Sequence, residues 1–308
     1  MTAPAAGHER TTMAVGYDGS DAAKDAVRWA AGYAVAGGHR LRVVHAWVWP
    51  MFTKKLGPVE GVEGSGLRHA AEAILAEGIE LARTALDAAR SAAAPADAEP
   101  APAEPAAETG PAVEGLMETG LPAPVLRGAA RDAVLLVVSS RGLGSVLGHL
   151  AGSVCLALAG SSPCPLMVIR RVRSPGEPAA PVVVGVDGSS RSSAALAAAA
   201  RLAGFLGTDL RIVHIDQTRG GAREGHGRHG PLHGQELLDH TLEEARNLAP
   251  HLSISVDLRE GHAASKELLA AASDAEALVI GTHNRTGGPG NTVTAVLNKA
   301  RCNVLITR

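Results

Sequence analysis

The residues with the clearest chemical use form a glycine-rich stretch in the first half of the chain. It runs from Ser139 to Val154, reads SSRGLGSVLGHLAGSV and follows the apolar segment 134–138. Glycines let backbone amides turn around phosphate oxygens, and the start of a helix favours negative charge. This pattern predicts an anion site, although a plain strand-to-helix connection has the same pattern. Gly152 and Ser153 occupy the expected helix N-cap, so the Ser153 hydroxyl either binds phosphate or caps the helix.

The elements that must position this stretch alternate between short apolar runs and segments with helical spacing. The predicted strands are 11–17, 41–48, 113–118, 134–138 and 165–169, and the predicted helices are 21–37, 67–90, 121–131 and 153–160. Regular alternation of strands and helices is typical of an α/β protein with a parallel sheet. Only 2% of the residues are aromatic, so the core must be aliphatic.

The same pattern begins again after residue 180. VGYDGS at 15–20 returns as VGVDGS at 184–189, and LRVVHA at 41–46 returns as LRIVHI at 210–215, both displaced by 169 residues. A common offset in two motifs indicates duplication of one domain. We therefore predict one domain at 1–172, a linker at 173–180 and a second domain at 181–308.

The topology of each predicted domain brings two sequence features together. Right-handed crossovers on a five-stranded parallel sheet favour the doubly wound order 3-2-1-4-5, which opens a crevice between strands 1 and 4. Asp18 ends strand 1, and the glycine-rich stretch follows strand 4. We expect both to lie at the carboxyl ends of the strands, where such sheets bind ligands. Their convergence favours a nucleotide site in the first half.

The last strand of each half is expected to pair with its counterpart. The segments 165–169 and 303–307 would otherwise be edge strands, which invite association. Pairing between them makes a pseudo-dimer within one chain. The sequence leaves open whether the whole chain is a monomer or forms a homodimer.

Composition and charge exclude several classes of protein. The net charge of −2 gives no global attraction to nucleic acid or to an anionic membrane. The N-terminal sequence MTAPAAGHERTT lacks the apolar core of a signal peptide, and no membrane span is apparent. Cys155, Cys164 and Cys302 form no C-x-x-C pair, so we expect buried structural thiols and a cytoplasmic, reducing location.

Two further segments carry biased composition. Residues 91–111 contain 18 Ala, Pro, Asp or Glu residues in 21, which predicts a mobile acidic insertion. His226, His229 and His233 lie in a glycine-rich segment after strand 2 of the second half. Their spacing allows metal capture, but without a cysteine or paired acid a solvated loop is the better interpretation.

Other conspicuous side chains have a structural interpretation. His45 and His214 hold equivalent positions in strand 2 of the two halves, so we expect a shared structural hydrogen bond rather than catalysis. Trp47 and Trp49 either cover the base side of the first nucleotide site or pack at the strand end. No P-loop, nucleophile elbow or H-E-x-x-H motif is present.

Several matching motifs carry a family resemblance. They are the V-G-x-D-G-S strand ends at Asp18 and Asp187, the V-V-H-A and I-V-H-I strand endings, the glycine-rich stretch, and the run P-C-P-L-M-V-I at 163–169. With these motifs both halves resemble the universal stress protein family, over nearly the whole chain. The resemblance implies a flavodoxin-like or HUP-type fold, dimerisation through the last strand, a stress or signalling role without defined catalysis, and ATP binding in one branch.

The first half is similar to the motif G-x2-G-x9-G-S/T of the ATP-binding branch. Ser139 replaces the first glycine, and Gly142, Gly152 and Ser153 match the rest. A serine costs little there unless the backbone needs a positive φ. The resemblance implies that Asp18 and the backbone of Ala46 face adenine or ribose. The other implied site residues are Ser139, Arg141, Gly142, Gly144, Gly152, Ser153 and Val154. Arg141 is equally well interpreted as a solvated loop residue.

The second half departs further from this motif. Asn284 replaces the second glycine after Gly281, and only five residues separate it from Gly290 and Asn291, so the loop is four residues shorter. Fewer amides can then converge on a triphosphate. The doubtful site residues implied for this half are Asp187, Ile215, Gly281, Gly290 and Asn291.

The sequence thus favours a tandem stress-response protein that binds ATP, with or without Mg²⁺, mainly in its first half and without acting as an enzyme. The alternative is an interaction module of the same fold that needs no nucleotide. A slow ATPase is the least favoured interpretation, because the sequence offers no evident acid–base pair.

Overall fold

A computed structural model of the chain describes residues 11–48, 64–94, 113–142, 152–173, 176–216, 232–261, 263–282 and 288–308. Some of the predictions above therefore lie outside the described residues. They concern Gly144, Trp49, Asn284, His226, His229 and residues 95–111 of the predicted insertion.

Both halves contain the same nine elements in the same order. The first half contains β1 (Thr12–Gly16), α1 (Asp21–Gly37), β2 (Arg40–Trp47), α2 (Gly64–Ala93), β3 (Val113–Thr119), α3 (Pro122–Ala129), β4 (Ala133–Ser139), α4 (Ser153–Ser161) and β5 (Leu166–Ile169). The second half contains β6 (Val182–Val186), α5 (Ser190–Leu206), β7 (Leu210–Asp216), α6 (Gly234–Leu248), β8 (Ile254–Glu260), α7 (Ala264–Ala271), β9 (Ala277–Gly281), α8 (Asn291–Lys299) and β10 (Asn303–Thr307). The predicted duplication therefore extends to every element.

The helix α2 is longer than its predicted range, 67–90. It begins at Gly64 and continues through Ser91–Ala93, which the composition places in the mobile insertion. Alanine is the strongest helix former, so the run Ala92–Ala93 extends the helix at no cost in propensity. That part of the prediction was wrong.

The strands form one continuous sheet in the order β3-β2-β1-β4-β5-β10-β9-β6-β7-β8. Within each half all pairs are parallel and follow the predicted order 3-2-1-4-5. The halves meet where β5 and β10 pair antiparallel, with Val168 opposite Val304 and Leu166 opposite Ile306. The predicted pairing of the two last strands is confirmed. The described parts of the chain contain no helix with the length and apolar character needed to cross a membrane.

Two equivalent arginines tie the halves together on one face of the sheet. Arg170 follows β5 and donates to the carbonyl oxygen of Leu297 near the end of α8. Arg308 follows β10 and donates to the carbonyl oxygen of Ala159 at 2.9 Å, near the end of α4. Burial lowers the pKa of both guanidinium groups. Each arginine thus places its positive charge at the negative end of a helix in the other half.

The junction of β5 and β10 forms a seam between the two halves. On the face of the sheet opposite the two arginines, three of the chain's few aromatic side chains fill this seam. Trp29 stacks on Tyr33 with ring centroids 5.2 Å apart, and both come from α1. Phe205 of α5 lies edge-on to both rings, with centroids 5.9 and 4.9 Å away. This arrangement is a favourable aromatic geometry. The two halves therefore pack through helices on both faces and through strands in the middle.

A glycine near the end of α4 allows the closest approach between the halves. A side chain at Gly160 would place its first carbon 2.9 Å from backbone atoms of Gly288 and Pro289 in the second half. Real side chains essentially never approach backbone that closely, and backbone atoms cannot rotate away. Gly160 is thus required by the contact between halves and not by its own helix.

We therefore expect Gly160→Ala to destabilise the protein, by about 1–3 kcal/mol, as overpacking does. Alanine is a better helix former than glycine by about 1 kcal/mol, so helix propensity alone predicts that Gly160→Ala stabilises the protein. The matched control is Gly128→Ala in α3, where a side chain meets nothing within 4 Å. The control should gain stability in urea unfolding, whereas equal gains in both variants would disprove the contact.

Candidate functional site

The crevice between β1 and β4 brings the predicted aspartate and glycine together. A side chain at Gly142 would place its first carbon 2.5 Å from Oδ2 of Asp18. The two residues are 124 positions apart in the sequence, and they meet because β1 and β4 are parallel neighbours, with Val15 opposite Val137. The predicted convergence of these two features is confirmed.

The turn that carries Asp18 has a fixed conformation. Oδ1 of Asp18 accepts hydrogen bonds from the amide and the hydroxyl of Ser20, at 3.0 and 2.6 Å. The Ser20 hydroxyl in turn accepts from the amide of Ala23 at 3.2 Å, and so caps α1. Gly19 between them has φ +84°, a value that favours glycine. The carboxylate is thus oriented by its own turn, with Oδ2 directed toward Gly142.

The long helix α2 packs against this turn and against the start of α1. Ile74 is the neighbour that a side chain at Gly19 would meet, at 3.6 Å. Lys24 pairs with Glu77 at 3.0 Å, and this contact lowers the pKa of Glu77. Burial, together with the Glu77 carboxylate, raises the pKa of Tyr17 to about 12. The sequence predicts no role for Tyr17 or Glu77, because a contact between strand 1 and α2 leaves no local signal.

The second wall of the crevice is formed by the end of β4 and the start of α4. Ser139 keeps a negative φ, so serine is compatible with the backbone there, as expected. Its hydroxyl donates to the carbonyl oxygen of Arg141 at 2.7 Å. The amide of Gly152 donates to the carbonyl oxygen of Ser140 at 3.2 Å. The start of α4 is therefore fastened to the end of β4.

The helix α4 begins without a side-chain cap. Its N-cap is Gly152, and Ser153 is the first helical residue, so the Ser153 hydroxyl does not cap the helix. The amides of Ser153 and Val154 belong to the first turn, where helix geometry supplies no acceptor. Ser153 and Arg141 are exposed. The two amides and the side chains of Ser153 and Arg141 can donate to an anion, whereas the Gly152 amide already has an acceptor.

The adjacent strand β2 supplies the third side of the crevice. Gly16 pairs with Val44, so Ala46 lies level with Asp18, each two residues further along its strand. Trp47 follows Ala46 and is half-buried. The described residues thus place Asp18, Ala46 and Gly142 at one sheet edge.

His45 and His214 make the same hydrogen bond in the two halves. Nδ1 of His45 lies 2.9 Å from the carbonyl oxygen of Tyr17, and Nδ1 of His214 lies 2.9 Å from that of Val186. Both residues are buried. The predicted structural role of these histidines is confirmed.

The second half arranges its equivalent residues differently. Oδ1 of Asp187 accepts from the amide of Ser189 at 3.0 Å and from the hydroxyl of Ser192 at 2.7 Å. Gly281 at the end of β9 approaches Arg191, whose Cβ would lie 3.6 Å from a side chain at Gly281. Asp187 is therefore hydrogen-bonded to the first turn of α5, and Gly281 lies close to the same turn.

The remaining predicted residues of the second half hold the positions equivalent to those of the first half. Ile215 follows His214 in β7 and lies level with Asp187, because Val186 pairs with His214. Gly290 is the N-cap of α8, with Asn291 as its first residue. A cavity of about 220 Å³ opens between α5 and α6, lined partly by Ser189, Ser192 and Glu244. None of the five site residues predicted for this half lines that cavity.

All three cysteines are buried, as predicted, and none forms a disulfide. Cys155 lies in the first turn of α4, and its thiol donates to the carbonyl oxygen of Ser139 at 3.3 Å. Burial raises the pKa of the Cys155 thiol, and likewise that of Cys302, to about 11. Within the described ranges no group of three His, Cys, Asp or Glu side chains is arranged to hold a metal.

Both halves of the chain match a known protein family. The model of the universal stress protein family matches residues 9–170 and again residues 179–308. A universal stress protein of Mycobacterium bovis is 30% identical over 310 residues, which cover 96% of this chain and 94% of that protein. Another, from Mycobacterium tuberculosis, is 29% identical over 321 residues, or 98% of both chains.

A solved structure confirms the fold. The crystal structure of a universal stress protein from Archaeoglobus fulgidus superposes with a TM-score of 0.68 at 16% identity, and covers 98% of this chain and 99% of that one. The predicted domain limits at 172 and 181 stay a prediction. Because the family model matches both halves, the chain belongs to the universal stress protein family and carries one family domain in each half.

Proposed function

We propose that the protein binds an adenine nucleotide, ATP, in the crevice between β1 and β4, and that occupancy of this site is its stress signal. The contact between Asp18 and Gly142 supports the proposal best. It puts a carboxylate beside a glycine at the sheet edge, where the uncapped start of α4 is fastened to the end of β4. Carboxylates accept from ribose hydroxyls, and helix starts bind phosphates.

Each residue of the crevice has a separate proposed role. Asp18 and the backbone of Ala46 face the ribose and the adenine. The amides of Gly142, Gly144, Ser153 and Val154, together with the Ser153 hydroxyl, hold the phosphates. Arg141 adds positive charge from the exposed loop, and Ser139 and Gly152 keep the loop ends in place. Mg²⁺ would accompany the phosphates as their counterion.

The second half is proposed to bind nucleotide weakly or not at all. Its loop is four residues shorter, and Asp187 contacts Ser192 of α5. Asp187, Ile215, Gly281, Gly290 and Asn291 are the residues that a second nucleotide would have to use. The proposed consequence is one competent site per chain.

Binding of this kind can act as a signal without catalysis. A ligand that binds only the folded state stabilises it by about 2.7 kcal/mol at a concentration 100 times its Kd. Two alternatives stay open: an interaction module that needs no nucleotide, and a slow ATPase. Hydrolysis that disappears in Asp18→Ala would favour the ATPase.

The deciding experiment is analysis of the nucleotide that the protein retains. The protein is purified without added ligand and precipitated, and any released nucleotide is identified by chromatography and mass spectrometry. About one ATP per chain is the expected result. Two per chain would contradict our interpretation of the second half. None, together with no shift in Tm at millimolar ATP and Mg²⁺, would favour the interaction module.

A further inference from the structure

The strand β8 is an outer edge of the sheet with exposed apolar side chains. Val256 and Leu258 are 37% and 40% exposed. They alternate with Asp257 and Arg259, so the two pairs lie on opposite faces of the strand. Val256 pairs with Ile212, a core residue that packs with α6, and so the apolar pair lies on the α6 side of the sheet.

The opposite edge of the sheet is covered more completely. There α2 extends over 30 residues and packs against β3, where Ile79 and Leu75 contact Gly115. In the second half α6 has only 15 residues. The two edge strands are equivalent by duplication, yet only β8 leaves large apolar side chains exposed. An edge with apolar side chains and unpaired backbone is a template for another strand.

The charges of β8 determine which strand fits it. Arg259 and Asp257 lie on the same face and pair within the strand at 2.7 Å. In an antiparallel pair of two β8 strands with Leu258 opposite Leu258, each Asp257 lies opposite an Arg259. Moving the register so that Asp257 lies opposite Asp257 would place like charges together, which is destabilising.

We propose that two copies of the chain pair antiparallel through β8, in the register that places Leu258 at the two-fold axis. The contact is isologous, so it closes as a dimer and does not grow into a filament. The same chain already joins two edges in this way, because β5 and β10 pair antiparallel at the seam between the halves. The proposal does not depend on nucleotide binding.

Oxidative crosslinking tests the register directly. In the proposed pair the two Leu258 residues are about 5 Å apart, within reach of a disulfide. Leu258→Cys should therefore crosslink two chains under mild oxidation. The matched control is Ser255→Cys, on the same strand and also exposed. Its two copies would be about 20 Å apart and should not crosslink. The native cysteines are buried and give little background.

Charge reversal tests the same interface without crosslinking. Asp257→Arg and Arg259→Asp should each weaken the dimer at least tenfold in sedimentation experiments, and the double exchange should restore it. Both side chains lie on an edge strand, so folding is checked by circular dichroism. A monomer at 100 μM, crosslinking through Ser255→Cys, or a dimer unaffected by either reversal would overturn the proposal.

Discussion

The variant Gly142→Val should lose nucleotide binding while the protein stays folded. The first carbon of any side chain at this position would lie 2.5 Å from Oδ2 of Asp18. Either the carboxylate must rotate away from the crevice or the loop must shift outward. Both changes remove a hydrogen bond to a charged group, which contributes about 1.5–3 kcal/mol. We therefore expect ATP affinity to fall about 10- to 150-fold.

Calorimetric titration with ATP measures this loss of affinity, and two further variants show whether it arises in the crevice. Asp18→Asn removes the negative charge without adding volume, and it should weaken binding to a similar degree. Gly128→Val changes a glycine in α3 with open space around it, and it should leave affinity unchanged. If Gly142→Val binds ATP normally, the crevice between β1 and β4 is not the nucleotide site.

The positions of the crevice residues follow from rules that act on the sequence alone. Three features are sufficient to place Asp18 beside the loop after β4. They are the alternation of strands and helices, right-handed crossovers, and motifs that return at an offset of 169 residues. The pairing of β5 with β10 follows from the same reasoning, since an unpaired last strand is an exposed edge. Such predictions succeed because every step depends on local pattern and chain connectivity.

Other features depend on contacts between distant elements and leave no local signal. Nothing in the segment around Gly160 shows that its partner is Gly288, and a helical glycine by itself suggests only a weak helix position. Arg170 and Arg308 have no pattern of their own and become informative only when α4 and α8 are seen across the seam.

The exposed apolar side chains of β8 are another feature that the shared motifs do not reveal. The halves share motifs, but their edge strands differ: Gly115 of β3 pairs with Val43, and Val256 of β8 pairs with the equivalent Ile212, so a glycine in one half corresponds to a valine in the other. Neither Val256 nor Leu258 is unusual for a strand. Their exposure depends on what packs against β8, and no motif encodes that contact.

Alkaline conditions should destabilise the protein strongly, and two buried thiols should account for much of the effect. Burial raises the pKa of Cys155 and of Cys302 from 9.0 to about 11. Between these values the unfolded state releases the proton and the folded state keeps it, so stability falls as pH rises from 9. Each thiol contributes about 2–3 kcal/mol to this loss by pH 11.

Urea unfolding between pH 8 and pH 11 measures the loss, and the double variant Cys155→Ala/Cys302→Ala identifies its source. The variant should be less stable at pH 8, because two buried side chains become smaller. Its stability should nevertheless fall less steeply above pH 9. Tyr17 leaves a residual slope above pH 10, since its pKa is also raised, to about 12. Equal slopes in variant and parent would mean that the thiols reach solvent, which would contradict the burial of Cys155 and Cys302.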